Sequence, residues 1–163
     1  EEYTLSPITE SDREAVIDLF NWYIEHSFAA YPQDPVPYEF FRLFEEVMKG
    51  YPVIAARNRD GNLVGFAFLH PHNPMPTFAH TAEVTTFIRP ECTGKGIGSR
   101  MLARLEAEAR KKGITCLLVS ISSLNEGSIR FHARHGFVEC GRFREVGRKK
   151  GRYFDTVWME KRI

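Results

Sequence analysis

The stretch VTTFIRPECTGKGIGSRMLARLEAEARKKG, residues 84–113, constrains the fold of this chain most strongly. An apolar run breaks at Pro90, three glycines follow, and a long amphipathic pattern comes next. Because Gly94, Gly96 and Gly98 carry no Cβ atom, successive N–H groups can converge on one anion at the N-terminus of the following helix. The pattern predicts a strand, a phosphate-binding turn and a helix. A turn whose glycines serve packing alone is the less favoured alternative.

The spacing of this turn excludes two familiar phosphate loops. The GxxxxGK[ST] loop places its lysine after the second glycine, whereas Lys95 lies between Gly94 and Gly96. The dinucleotide fingerprint needs a third glycine three places after the second, where this chain has Ser99. The turn therefore indicates a different pyrophosphate ligand.

Length and composition predict one domain over residues 1–163. The chain is 43% hydrophobic and 26% charged, which is ordinary for a globular protein with a single core. A formal net charge of +1 favours neither a nucleic acid nor a membrane as partner, and no apolar run reaches membrane-spanning length. The first residues form no basic and then apolar leader, although the absence of an initiator Met leaves a removed segment open. Three scattered cysteines fit a reducing cytoplasm better than a disulfide framework.

Periodicity predicts an α/β fold, with one sheet covered by helices on both faces. Ser11 and Glu14 read as a capping box that opens the first helix. The proline-rich segments 28–37 and 70–80 read as connecting loops. The predicted helices are 11–27, 38–50, 96–112 and 125–136, and the predicted strands are 3–8, 51–58, 63–70, 81–89, 114–121, 137–147 and 153–161.

Three segments, VTTFI, TGKGIG and NEGSIRFHARHGFVECGR, resemble the GCN5-related N-acetyltransferase (GNAT) superfamily. The resemblance implies a mixed, mostly antiparallel central sheet and acetyl-CoA as cosubstrate, with the coenzyme A pyrophosphate in the glycine turn. Thr93 stands where the family usually has Arg or Gln. The coenzyme-binding residues that the resemblance implies are Thr86, Phe87, Ile88, Gly94, Lys95, Gly96, Ile97, Gly98, Ser99 and Asn125.

The closing run GRFREVGRKKGRYFDTVWMEK looks like the phosphinothricin and methionine sulfone/sulfoximine N-acetyltransferases within this superfamily. That resemblance implies a homodimer. Members often carry arginines in the connector before the central strand, suited to an amino-acid carboxylate, but this chain reads NPMPTFAH there. A carboxylate clamp at those positions is therefore not expected, and the named substrates do not transfer.

Acetyl transfer to an amine needs a proton acceptor, a polarised carbonyl and a proton for the departing thiolate. Glu83 is the only acid between residues 61 and 90. It fits a general base and a satisfied strand-end acid equally well, and the family's glutamate at this position favours the base. We predict His132 as proton donor or thiol neighbour, against a core histidine as the alternative. Amide groups of residues 86–88 would polarise the carbonyl if a bulge frees them. Asn125 fits a coenzyme contact or a helix N-cap equally.

Three further patterns have weaker functional interpretations. Zinc binding by the HPH histidines with His80 and Cys92 matches no standard spacing, so no metal is expected. The basic run over 142–152 is interleaved with acids and indicates a solvated hairpin or subunit contact rather than a nucleic-acid site. Four aromatic residues could wall an acceptor pocket or pack in the core: Trp22, Phe28, Tyr31 and Phe78.

The sequence thus predicts a cytoplasmic N-acetyltransferase that moves an acetyl group from acetyl-CoA directly to the primary amine of a small molecule, amino-acid-like or other. One alternative is an acetyltransferase of protein N-termini or lysines, which would need a peptide-wide groove in place of the lid-like loops 28–37 and 70–80. The other is a non-catalytic coenzyme A sensor, against which the presence of both Glu83 and His132 argues.

Overall fold

The computed structural model describes residues 2–163. Within that range the chain forms four α-helices and seven β-strands. In chain order they are β1 (Thr4–Ser6), α1 (Arg13–His26), α2 (Phe41–Met48), β2 (Val53–Arg57), β3 (Leu63–Pro71), β4 (Thr81–Ile88), α3 (Ile97–Lys111), β5 (Cys116–Ser122), α4 (Glu126–Arg134), β6 (Val138–Lys149) and β7 (Arg152–Arg162). None of these helices is both long and apolar enough to span a bilayer.

All seven strands join one sheet in the order β1-β2-β3-β4-β5-β7-β6. Every neighbouring pair is antiparallel except β4 and β5. These two parallel strands pair only from Thr81 opposite Cys116 to Glu83 opposite Leu118. β4 nevertheless stays paired with β3 as far as Ile88. The sheet is therefore split beyond Glu83, between its two central strands.

Helices cover both faces of the sheet, as predicted. Alternate residues of a strand point to opposite faces, so the sheet carries two separate cores. Phe66 and Phe68 of β3 pack with α1 and α2 residues, including Val16, Ile17 and Phe41. The opposite face packs against α3 through Val84 of β4 and the helix residues Met101, Leu102 and Leu105. Below, these faces are called the α1 side and the α3 side.

The predicted capping box at Ser11 and Glu14 is wrong. The Asp12 carboxylate accepts the Thr9 backbone N–H at 2.8 Å, and a 3₁₀ turn over Glu10–Asp12 leads into α1. Arg57 of β2 also donates two hydrogen bonds of 2.8 Å to this carboxylate. The box therefore forms two residues early, because a strand residue far along the chain fixes Asp12.

The β6–β7 hairpin is longer than predicted and contains a bulge. Phe143 lies opposite Thr156, and Gly147 lies opposite Phe154, so residues 144–146 face Asp155 alone. The Asp155 carboxylate accepts the Glu145 N–H at 2.8 Å and the Arg142 guanidinium at 2.9 Å. A Cβ on Gly147 would lie 2.1 Å from the Phe154 ring, so the bulge requires glycine there.

Candidate active site

The split between β4 and β5 opens into a cleft of about 930 Å³. Its walls come from both faces of the sheet: α1 and α2 residues on one side, the glycine turn and α4 on the other. Clefts of this volume are typical of small-molecule and cofactor sites. The split thus connects the two faces at the end of β4 that follows Glu83.

The open edge of β4 presents backbone donors to this cleft. Arg89 donates its N–H to the Val64 carbonyl at 2.7 Å. Because amides alternate in direction along an antiparallel strand, this bond determines which β4 amides face β3. The amides of Thr86 and Ile88 therefore point away from β3, into the split. The Ile88 carbonyl on the same edge accepts the Tyr23 hydroxyl, whose pKa is raised by burial.

The bulge considered in the sequence analysis does not occur, since the β3–β4 register runs without interruption from Gly65–Ile88 to Pro71–Ala82. Divergence of β5 frees the donors instead. The amide of Phe87 faces β3, because the N–H groups of successive strand residues point to opposite neighbours. The Phe87 ring lies on the α1 side and lines the cleft.

The glycine turn lies at the N-terminus of α3, as predicted. Gly94 and Gly96 have φ values of 74° and 82°, in the left-handed region that favours glycine. Gly96 is the N-cap of α3, and the first helical bond runs from the Arg100 N–H to its carbonyl at 3.1 Å. The amides of the first turn, Ile97, Gly98 and Ser99, consequently have no acceptor within the helix and remain available for an anion.

Gly96 and Gly98 differ in their surroundings. A Cβ on Gly96 would meet nothing within 4 Å, whereas one on Gly98 would lie 3.2 Å from the Phe131 ring and 3.3 Å from Ile88. Gly98 is therefore a packing glycine that brings α3 close to α4. Lys95 is exposed at the middle of the turn.

The N-terminus of α3 is also tied to α4 through a pair that the sequence did not reveal. The Ser99 hydroxyl lies 2.8 Å from His135 Nε2, and His135 Nδ1 lies 2.8 Å from the Phe131 carbonyl. A carbonyl only accepts, so Nδ1 carries the proton and Ser99 donates to Nε2. The Ser99 side chain is thus occupied, which leaves its backbone amide for a ligand.

Asn125 begins α4 and lines the cleft. Its Oδ1 accepts the Ser128 N–H at 3.4 Å, so the N-cap interpretation is confirmed. The same helix places the exposed Arg134 on the α3 side of the cleft, a cation that the sequence analysis did not single out.

His132 also lines the cleft, but it is only 5% exposed and its ring packs edge-on against Phe131 and Phe137. Nδ1 donates to the Ser128 carbonyl at 2.8 Å, and burial lowers the pKa of the ring. In the neutral form Nε2 then carries no proton and acts as an acceptor. This geometry favours the thiol neighbour over the proton donor among the predicted roles.

Glu83 is the last β4 residue paired with β5, and it lies at the start of the split. Its Oε2 is 2.8 Å from Nδ1 of His72, in the connector after β3, and the side chains are 19% and 36% exposed respectively. His70 lies directly opposite Glu83 in the β3–β4 register, on the same face. The HPH histidines, considered above as zinc ligands, therefore flank the candidate base, and His72 links it to solvent.

Aromatic rings form the α1 side of the cleft. Among the predicted wall residues only Tyr31 lines it, with its hydroxyl 3.4 Å from Ser120 Oγ of β5 and its pKa raised by burial. Trp22 instead stacks on His26, and Phe28 packs against Phe154. The rings that line it beside Tyr31 are Phe20, Tyr23, Phe40, Phe44 and Phe87, of which the sequence analysis named only Phe87, as a coenzyme contact. Phe20 and Tyr23 are three residues apart on α1, and Phe40 and Phe44 are four residues apart at α2. This helical spacing could have indicated that the rings of each pair share one face.

A buried lysine secures the loop that carries Tyr31. Lys149 at the end of β6 is 1% exposed, and its ammonium donates to the carbonyls of Ser27 at 2.8 Å and Ala30 at 2.6 Å. Burial lowers the pKa of Lys149. The β6–β7 hairpin therefore fastens the loop over the mouth of the cleft.

Comparison with known proteins identifies the family. Residues 16–137 match the model of the Acetyltransferase (GNAT) family. The chain belongs to this family. Phosphinothricin N-acetyltransferase of Streptomyces coelicolor is 32% identical to it over 98% of this chain and 96% of the relative.

Two solved structures place the GNAT chain among enzymes of similar length. Ribosomal-protein-alanine N-acetyltransferase from Brucella melitensis is 31% identical, with a TM-score of 0.89 over 98% of this chain and 99% of that one. YncA from Salmonella typhimurium, solved with its cofactor acetyl-CoA, is 28% identical, with a TM-score of 0.91 over 99% and 94%. The predicted family, fold and activity are confirmed: the protein is an N-acetyltransferase that uses acetyl-CoA.

Proposed function

We propose that this GNAT enzyme acetylates the primary amine of a small molecule by direct transfer within a ternary complex. The supporting observation is that one continuous cleft runs through the split sheet. It has Glu83 on the α1 side and the glycine turn on the α3 side. Two ligands that enter from opposite faces would meet at the split.

The α3 side suits coenzyme A. The left-handed Gly94 and Gly96, with the first-turn amides of α3, form a cradle for its diphosphate, and Lys95 and Arg134 add positive charge nearby. The side-chain NH₂ group of Asn125 can donate to the pantetheine arm while Oδ1 caps α4. When bound, acetyl-CoA supplies the activated acetyl thioester.

The split itself suits the reacting atoms. Thr86 and Ile88 offer amides at the open edge, where they can hold pantetheine like an added strand and donate to the acetyl carbonyl oxygen. Glu83 accepts a proton from the incoming ammonium, and His72, 2.8 Å from its carboxylate, passes that proton to solvent. As the C–S bond breaks, the attacking nitrogen gives up its second proton to the departing sulfur, and His132 Nε2, a neutral acceptor, would receive the hydrogen bond of the resulting thiol.

A peptide acceptor is the second candidate, because the ribosomal-protein-alanine acetyltransferase of Brucella is 31% identical over nearly the whole chain. The loop that Lys149 fastens argues against it. Tyr31 and Pro32 of that loop line the cleft, so a peptide on the α1 side would compete with the loop for space.

The two candidates are separated by measuring coenzyme A release from acetyl-CoA with small primary amines and with peptides that begin in alanine. Mass spectrometry of each product should show one added acetyl group, and acetyl-CoA without acceptor gives the background. We expect release with small amines well above that with peptides. Faster release with the peptides would replace the small-molecule proposal, and release with neither would refute both.

We further propose a homodimer formed through β6. This strand lies at the sheet edge and exposes large apolar side chains: Val138 at 66%, Phe143 at 58% and Val146 at 59%. An exposed apolar edge strand is a ready-made pairing surface, and a two-fold axis would bury the same patch on both copies. A cytoplasmic location is the companion proposal, supported by the free thiols of Cys92, Cys116 and Cys140.

A further inference from the structure

We infer that the acceptor amine has an aromatic or aliphatic body and carries no carboxylate. This inference rests on the proposed function, since it assigns the α1 side of the cleft to the acceptor. It follows from the ionisable groups and the aromatic rings that line this side of the cleft.

The ionisable groups that line the α1 side include no arginine or lysine that could pair with a carboxylate of the acceptor. Among the residues that line the cleft, the only arginine or lysine is Arg134, which belongs to α4 on the α3 side. The α1 side contributes the Glu83 carboxylate, the phenols of Tyr23 and Tyr31, and His70. His70 lies directly opposite Glu83 in the sheet, so any positive charge it carries is offset by that carboxylate.

Cations in the neighbouring segments are engaged in other contacts: His72 pairs with Glu83, Arg152 lies over the Phe28 ring and Lys150 donates to the Glu25 carbonyl. The connector over residues 72–80 contains no arginine or lysine. Lys149 lies behind the loop that carries Tyr31, but it is almost fully buried and its ammonium already donates to the carbonyls of Ser27 and Ala30. A substrate carboxylate here would lose its hydration, gain no ion pair and be repelled by Glu83. A substrate ammonium would be attracted by the same Glu83.

The remaining surface on this side is apolar. Phe20 contacts the rings of Phe40, Phe44 and Phe87, with centroid distances of 5.8, 5.1 and 5.4 Å. All four rings line the cleft, and Tyr23 adjoins Phe87 at 5.4 Å. Such a wall favours a flat aromatic or aliphatic group through burial of apolar area. The site therefore selects charge at one end of the acceptor, the amine, and an apolar body at the other.

Three matched acceptors test this inference on the wild-type enzyme: 2-phenylethylamine, phenylalaninamide and phenylalanine. The last two share one side chain and differ in the amide that replaces the carboxylate; because this change also alters the basicity of the α-amine, their rates are compared per concentration of free amine. We expect kcat/KM for phenylalanine to be lower than for either amine by on the order of 10- to 100-fold, the size expected for a buried polar group left unpaired. Ethanolamine, which lacks the apolar body, should also be poor.

A charge-introducing variant provides a second test. Tyr31→Arg places a guanidinium at the mouth and should raise the rate ratio of phenylalanine to phenylalaninamide by roughly tenfold, the order expected of one charge-assisted contact. Tyr38→Arg is the matched control, because Tyr38 bonds Asp18 outside the cleft. That control should leave the ratio unchanged.

The outcomes separate this inference from the proposed function. Phenylalanine equal to or faster than phenylalaninamide overturns the inference while small-amine acetylation stands. Ethanolamine faster than 2-phenylethylamine overturns the apolar part of it. No acetylation of any amine in the series, with peptides acetylated instead, overturns both proposals.

Discussion

Replacing Gly96 by aspartate should weaken coenzyme A binding strongly while leaving the protein folded. At φ 82°, a side chain costs about 1–2 kcal/mol of backbone strain, and no atom lies within 4 Å of the new Cβ. For a protein of this size that strain lowers Tm by roughly 2–8 °C. The carboxylate, however, would stand where the diphosphate is proposed to bind. Two like charges about 5 Å apart repel by about 3 kcal/mol at an effective dielectric constant of 20, which equals roughly a hundredfold rise in Kd.

Gly113 provides a matched control at the other end of α3. Its φ is 79°, and a Cβ there would also meet nothing within 4 Å. A negative charge is less favourable at a helix C-terminus than at an N-terminus, so Gly113→Asp should lose at least as much stability as Gly96→Asp. Its affinity for coenzyme A should nevertheless match that of the wild type.

Calorimetric titration with coenzyme A, alongside thermal unfolding, measures both effects. A folded Gly96→Asp variant with wild-type affinity would refute the assignment of the diphosphate to this turn. An equal loss of affinity in Gly113→Asp would show that the effect follows stability rather than position.

Three further predictions concern other parts of the molecule. His72→Asn keeps a donor toward Glu83 but cannot relay a proton. The kcat should therefore fall about tenfold and recover with added imidazole. A variant with the wild-type kcat would remove His72 from the mechanism. Phe143→Asp places a charge in the proposed β6 interface and should give monomers in sedimentation at concentrations where the wild type is dimeric, and a wild-type monomer would contradict the interface itself. Asp12→Asn should reduce the free energy of unfolding at pH 7 by about 1–3 kcal/mol, because Arg57 loses its ionic partner. Hydrogen bonds from Arg57 hold the pKa of Asp12 below its ordinary value. The extra free energy of unfolding of the wild type over Asp12→Asn should therefore be complete above about pH 4 and disappear as the pH falls through the folded-state pKa of Asp12. A difference that does not change with pH would contradict the ion pair with Arg57.

Local features of the site were predictable from the sequence, because their causes lie within a few residues. Gly94 and Gly96 adopt backbone angles that favour glycine, and the helix they precede follows directly. Asn125 sits at the start of its helix and caps it. In such cases the residue types and their spacing already determine the local structure.

Features that depend on long-range pairing were not predictable in the same way. The strand edge at Thr86 and Ile88 is opened by the divergence of β5, and nothing in the β4 sequence marks that divergence. Tyr31 meets Ser120 across 89 residues, and Asp12 meets Arg57 across 45. The pairing of His72 with Glu83 required the connector after β3 to fold back onto β4, which its proline-rich sequence does not specify.

The central claim is that Glu83 accepts the proton of the amine, and Glu83→Gln tests it most directly. This change keeps the side-chain shape and removes the proton acceptor, so kcat/KM should fall by roughly a hundredfold to ten-thousandfold while the Kd for coenzyme A stays constant. Glu108→Gln, an exposed acid of α3 paired with Lys111, is the matched control and should behave as wild type.

The measurement is the pH profile of kcat/KM for wild type and both variants. The account predicts that the wild type stays active at pH values where the amine is protonated, whereas Glu83→Gln keeps only a residual rate that rises as free amine becomes available. Retention of most activity in Glu83→Gln, with an unchanged pH profile, would contradict the account and leave Glu83 as an anchor for the substrate ammonium.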